Sequence, residues 1–201
     1  MFGTDIAEAW LYYADGSYVA TRMLWFTNFR LEAPVGSHRT IEMYLKTYLV
    51  SKGNIIKKGK QGWGHDLQQI AHLCAYHNAD FTNTDLLRRI SYYQRYHDLV
   101  RYPTEIDGKQ DDGSLIWFSF DSAIMPLDEI VAFIRPRIVL TDEDWTKSRI
   151  NMLYKNDKPE WSYQRKALTD HNNFIEEIVC ASTKNMKIDF DPNFRFDLPG
   201  C

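Results

Sequence analysis

Ile41-Glu42-Met43-Tyr44-Leu45-Lys46-Thr47-Tyr48-Leu49 places apolar side chains at 41, 44, 45, 48 and 49. The spacing i, i+3, i+4, i+7, i+8 is one face of an α-helix. Burying five such side chains is worth on the order of 10 kcal/mol as an upper bound. Such a helix has to be covered by its neighbours, so the chain from Ser37 to Pro103 is read around it. Ser37 is the expected N-cap, after a connector at Pro34-Val35-Gly36, and Gly53 suits the C′ position.

Working outward, residues 53–64 are polar, with Lys57, Lys58 and Lys60 before Gly62-Trp63-Gly64. They read as a loop whose lysines are either solvated surface or a basic flank to an anion site. Asp66 caps a third helix, with Gln69 in capping-box position and Leu67, Ile70, Ala71 and Cys74 as its buried stripe. Asn83 or Thr84 starts a fourth helix, whose apolar face is Leu86, Leu87, Ile90 and Tyr93. Tyr102 precedes Pro103, which stops that helix near Arg101. Upstream, residues 4–28 read as a long first helix with Ile6, Trp10, Tyr13, Ala20 and Leu24 on its inner face and either a kink or a break into two helices at Asp15-Gly16.

Downstream, Asp107-Gly108-Lys109-Gln110-Asp111-Asp112-Gly113 reads as a linker, and Leu115 to Phe120 as a short extended or irregular run. Pro126 fits a helix start, with Leu127, Ile130, Val131 and Ile134 as its stripe and Pro136 as its end. Thr141 caps a helix over 142–155. Pro159 opens a last long helix carrying Leu168, His171, Ile175 and Ile178 on one side, and from Thr183 the chain reads as an irregular tail. The expected fold is all-α: an antiparallel four-helix core within 1–103, and a helical extension with a tail over 104–201, packed on the bundle. Six or seven helices are expected in all.

The 201 residues are 44% hydrophobic and 25% charged, as in ordinary globular proteins. A net charge of −3 gives no global basic field for a nucleic-acid backbone, which leaves only a local patch for that purpose. Cys74, Cys180 and Cys201 form no close pair, and no secretion signal or membrane-length apolar run is visible, so a cytoplasmic protein with reduced thiols is expected. No metal or cofactor motif is present: His72 and His77 fall on different helix faces, and no C-x-x-C, H-E-x-x-H, G-x-S-x-G or phosphate-cradling glycine loop occurs.

Glu42-x-x-x-Lys46, then His65-Asp66-Leu67, then Arg101-Tyr102-Pro103 resemble, in order and spacing, the motifs of the HEPN domain, a nucleotide-binding helical bundle of higher eukaryotes and prokaryotes. The resemblance covers about Thr4 to Pro103. It implies a four-helix bundle that binds a nucleotide or RNA, pairs as a homodimer, and partners a nucleotidyltransferase in bacterial defence or toxin–antitoxin settings. Catalytic members are metal-independent ribonucleases with an R-x(4–6)-H motif. Within 37–103 no arginine precedes a histidine at that distance, and Arg165 to His171 is the one fit in the chain. With twelve arginines and six histidines, about one such match is expected by chance, and His171 lies on the expected apolar stripe.

The site that this reading offers is ligand-binding: His65, Arg95, His97 and Arg101. His97 and Arg101 are i, i+4 on one helix face, and arginine grips phosphate with two parallel hydrogen bonds. A purely structural reading competes with it, in which Asp66 is a cap, Arg101 complements the helix C-terminus, Tyr102 is core and the domain only dimerises. Arg165 and His171 are the catalytic candidates of the ribonuclease alternative.

Overall fold

The computed structural model describes residues 3–29, 32–55, 62–101, 123–179 and 190, the side chains of 3–5 and 99–101 apart. Among these residues there are nine α-helices and no strand. In chain order they are α1 (Gly3–Phe26), α2 (Glu32–Ser51), α3 (Leu67–Ala75), α4 (Thr84–Arg101), α5 (Met125–Ile134), α6 (Asp142–Lys147), α7 (Arg149–Lys155), α8 (Ser162–Thr169) and α9 (Ile175–Val179). Short 3₁₀ turns at Ala79–Thr82, Arg135–Arg137 and Pro159–Trp161 join some of them. Among the described helices none is long and apolar enough to cross a membrane. The sequence readings of 56–61, 102–122, 180–189 and 191–201 lie outside the described residues.

α2 is the hub, packed against α1, α3, α4 and α5. Its expected face is buried: Ile41, Tyr44, Leu45, Tyr48 and Leu49 share one core with Leu67, Ile70, Ala71 and Cys74 of α3. Burial pushes the Cys74 thiol well up, so this sulfur is a core atom rather than a nucleophile. α2 closes as expected, with Gly53 at φ +83° and hydrogen bonds from Asn54 N to Leu49 O and from Gly53 N to Val50 O. That pair of bonds is a Schellman motif.

The start of α2 differs from expectation. Pro34-Val35-Gly36 is not a connector and Ser37 is not the cap, because the helix already begins at Glu32. Proline is tolerated in a first turn, where its missing N–H has no partner to lose. Gly36 is there for proximity: a Cβ on it would sit 2.7 Å from Thr21 Oγ1 of α1. The Ser37 hydroxyl instead donates back to Ala33 O at 2.9 Å.

Pairing runs antiparallel between α1 and α2, where Thr21 and Ser17 meet Thr40 and Asp15 meets Tyr44. It is also antiparallel between α3 and α4, where Leu67 meets Gln94 and Gln68 meets Ser91. α3 runs in the same sense as α2: the 42–46 stretch meets residues 64 and 65, and Asn54 meets His77. The four helices are therefore not antiparallel throughout.

α1 corrects the sequence reading most. It is continuous through Asp15-Gly16, and its inner face is Ala7, Leu11, Ala14, Asp15, Tyr18, Arg22 and Trp25. Ile6, Tyr13 and Ala20, expected inside, are exposed. The helix turned because two charges on it are core residues with partners elsewhere in the chain.

Those partners lie in or beside α5, whose residues from Pro126 to Ile134 are all buried, Asp128 and Glu129 included. Asp128 pairs with Arg22 and accepts the Tyr18 hydroxyl at 2.6 Å. Glu129 pairs with Arg89 of α4 at 2.5 Å. Just past α5, Arg135 grips Asp15 of α1 through Nε at 3.0 Å and a second nitrogen at 3.1 Å. Asp15 also accepts from Tyr44 Oη at 2.7 Å and from Ile150 N at 3.1 Å, which satisfies both its oxygens. Arg22, Arg89 and Arg135 are the largest fully buried side chains described, and each bridges two helical layers.

The same assembly breaks the helix expected over 142–155. Ser148 is extended (ψ 145°), caps α7, and accepts from Arg135 at 2.8 Å, so α6 and α7 are separate. The last long helix is also divided. α8 stops at Thr169, Asp170 O and Ala167 O accept from Arg22, and His171 takes φ +52°. His171 is therefore exposed rather than on an apolar stripe.

Candidate functional site

The face of α2 that turns away from α1 carries His38, Glu42 and Lys46, spaced i, i+4, i+8 on one stripe. α4 lies across it and contributes Gln94, His97 and Asp98, and the Gly64-His65-Asp66 loop closes the end. Asp66 is fixed as the N-cap of α3, accepting from Gln69 N at 3.0 Å. That cap sets where His65 leaves the chain.

Hydrogen bonds define the protons at this site. Gln94 Oε1 accepts from Leu67 N at 3.0 Å, while its Nε2 donates to the Asp98 carboxylate at 3.2 Å. The amide orientation is thereby set, so His38 Nε2, 3.1 Å from the same Oε1, must be the donor. The neutral His38 ring consequently keeps its lone pair on Nδ1. The His97 ring stacks on it, with centroids 4.0 Å apart and planes 21° apart. Burial, with His97 beside it, holds His38 below the ordinary histidine pKa.

Glu42 binds the other end together. Lys46 Nζ donates to its Oε1 at 2.5 Å and to Gly64 O at 2.8 Å, which pins the loop to α2. His65 Nδ1 lies 3.0 Å and 3.1 Å from the two Glu42 oxygens and can only donate to a carboxylate. Burial alone would raise the Glu42 carboxyl, but the bonds from Lys46 and His65 outweigh it and hold it below the usual range. The His65 ring is 78% exposed, and its Nε2 has no partner among the described residues. An imidazole oriented by a carboxylate at Nδ1, with Nε2 open, can take or give a proton.

Of the residues singled out from sequence, His65 and His97 come to this one face, joined through Glu42 and His38. Arg95 is exposed and two positions from His97, about 200° around α4, so it belongs to another side of the helix. Arg101 is the last residue of α4, and its side chain lies outside the described residues. Arg165 and His171 turn to different elements. Arg165 binds Asn156 O and the Asp157 carboxylate, while the His171 ring stands 6.4 Å from Phe26. His38, Gln94 and Asp98 were missed. The i, i+4 repeats His38-Glu42-Lys46 and Gln94-Asp98 were the available signal, two polar stripes flanking apolar ones. Among the described residues no cluster of three or more histidine, cysteine or acidic side chains is arranged to hold a metal ion. Compared with known proteins, the chain matched no family model, no curated protein and no solved structure.

Proposed function

We propose that the chain is a HEPN-like bundle that binds the ribose-phosphate end of an RNA or nucleotide at the His38–Glu42–His65–His97 face. The carrying observation is that one face sets imidazoles, with His38 Nδ1 and His65 Nε2 not engaged by Gln94 or Glu42, beside the carboxylates of Glu42 and Asp98. A bare phosphate would meet repulsion from those carboxylates. A ribose end presents both phosphate oxygens, to which an imidazole donates from its open nitrogen when protonated, and vicinal hydroxyl donors for the carboxylates, and the 2′-hydroxyl distinguishes RNA from DNA. The reading includes a cytoplasmic setting, which rests on the unpaired cysteines, and a homodimer and a nucleotidyltransferase partner in defence or toxin–antitoxin biology, which rest on the family resemblance. Titrating a short single-stranded RNA against the protein tests the reading. His65→Ala should weaken binding about tenfold or more, the scale of one charge-assisted hydrogen bond. A DNA oligomer of the same sequence should bind worse, and equal binding of RNA by both proteins would remove the histidine face from the reading.

The ribonuclease alternative is favoured by one observation, the Glu42-oriented imidazole of His65 with its Nε2 open. That pair could take a 2′-hydroxyl proton as the oxygen attacks the adjacent phosphorus, leaving a 2′,3′-cyclic phosphate and a free 5′-hydroxyl. Cleavage of RNA in the presence of a chelator, lost in Glu42→Gln with RNA binding retained, would establish this alternative.

A further inference from the structure

Next to the histidine stripe around α2, its junction with α1 and α7 forms a groove of about 350 Å³. Tyr12, Tyr13, Arg39 and Arg149 line it, over Gly16 and Gly36. A smaller lobe of about 140 Å³ shares Tyr12 and Arg149 with it and adds Trp161 and Gln164. We infer that this double-lobed groove is a second binding site, for a nucleoside monophosphate, with the phosphate between Arg39 and Arg149 and the base in the Trp161 lobe.

Three independent features carry the assignment. The first is charge without a counter-charge. Arg22, Arg88, Arg89, Arg135, Arg137 and Arg165 each pair with a carboxylate, but neither Arg39 nor Arg149 forms an ion pair among the described residues. Arg149 is held in place, its guanidinium 5.6 Å from the Tyr12 ring centre and lying over Gly16, where a Cβ would come within 3.2 Å of its Nη1. Asp15, the α1 acid beside Gly16, is taken up by Arg135, Tyr44 and Ile150 N. Two arginine forks facing one groove are suited to a phosphate. The second feature is aromatic. Tyr12 and Tyr13 are 44% and 64% exposed, and Tyr12 and Trp161 wall the smaller lobe, which offers stacking surface to a flat ring. The third is Gln164 Oε1, buried and without a hydrogen-bond partner, in that same lobe. A buried acceptor left unmade is costly, and an exocyclic amine on a base edge would satisfy it.

The site is distinct from the histidine face and does not depend on it. The test is calorimetric titration of the full chain with AMP, adenosine and ribose 5-phosphate. AMP should bind about tenfold or more tightly than either fragment, because each lacks one of the two lobes' contacts. Arg39→Ala, at an exposed position, and Arg149→Lys, which keeps the charge but loses the fork, should each weaken AMP about tenfold, and Gln164→Leu should weaken it less. His65→Ala, which acts at the histidine face, should leave the arginine-dependent part of AMP binding in place. AMP binding that is undetectable at millimolar concentration, or indifferent to both arginine variants, overturns the groove site. Binding lost in His65→Ala but kept in Arg39→Ala overturns it too, and leaves the histidine face as the nucleotide site.

Discussion

The two charged assemblies of this molecule are built from different residues. In the core, Arg22, Arg89 and Arg135 meet Asp128, Glu129 and Asp15 with essentially no solvent exposure. At the edge of α2 and α4, His38, His65 and His97 meet Glu42, Gln94 and Asp98 in a setting that runs from the buried His38 to the exposed His65. Arginine keeps its charge at every pH at which a protein is folded, whereas histidine changes charge near neutrality. The interior therefore uses cations that cannot abandon their partners, and the surface uses groups whose charge can move. Substitution in the first assembly should act on stability, and substitution in the second on pH response and binding.

The largest expected effect comes from breaking the first assembly on one side only. Asp128→Ala leaves the Arg22 guanidinium buried without its carboxylate and should cost about 3–5 kcal/mol in urea unfolding. Replacing both partners, Arg22→Met with Asp128→Leu, should recover much of that loss, because the penalty is the stranded charge. A single-variant loss below about 1 kcal/mol would show that the pair is not desolvated as described.

Leu45→Ala is the apolar reference in the neighbouring α2–α3 seam and should cost about 2–5 kcal/mol. Gly36→Ala comes next, at about 1–3 kcal/mol, since its Cβ must displace the Thr21 hydroxyl. If Gly36→Ala is neutral, α1 and α2 do not approach as closely as described.

Smaller effects belong to the histidine assembly. The folded-state pKa of His38 lies below that of the unfolded chain, so between the two values the unfolded chain holds a proton that the folded one lacks. Stability should consequently fall as pH drops below about 6.5, the ordinary histidine value. Glu42, also lowered, contributes stability that is present above the ordinary glutamate range and lost as pH falls through its folded value. His38→Phe should flatten the first of these slopes, and an unchanged slope from pH 7 to 5 would assign it elsewhere. His65→Ala, on an exposed ring, should change stability by no more than about 0.5 kcal/mol while weakening RNA.

Periodicity made the α2–α3 seam legible because every residue in it obeys the rule that apolar means inside. It failed on α1, where the expected apolar face left out Asp15 and Arg22, both of which are buried. Nothing local marks a charge as buried, since its partner, Asp128 or Arg135, lies more than a hundred residues away. Glycine at 36 read as a break because sequence shows its lack of a side chain but not the Thr21 hydroxyl that requires it. Half of the histidine face was legible, His65 through its motif and His97 through its place on α4. His38, Gln94 and Asp98 became visible only when α4 was laid against α2. Arg39 and Arg149 had no local pattern at all, because their common groove is made by packing α7 on α1.

An imidazole-detected NMR titration, with and without a single-stranded RNA oligomer, tests the division between fixed core and responsive face most directly. Free protein should show His38 titrating below the ordinary value near 6.5, and RNA should shift the His38, His65 and His97 signals together. His72, bonded to Gln68 O, and His77, at Asn54, should not move. If His38 titrates at or above 6.5, or if RNA moves His72 and His77 as much as His38, His65 and His97, the histidine face is not the binding surface.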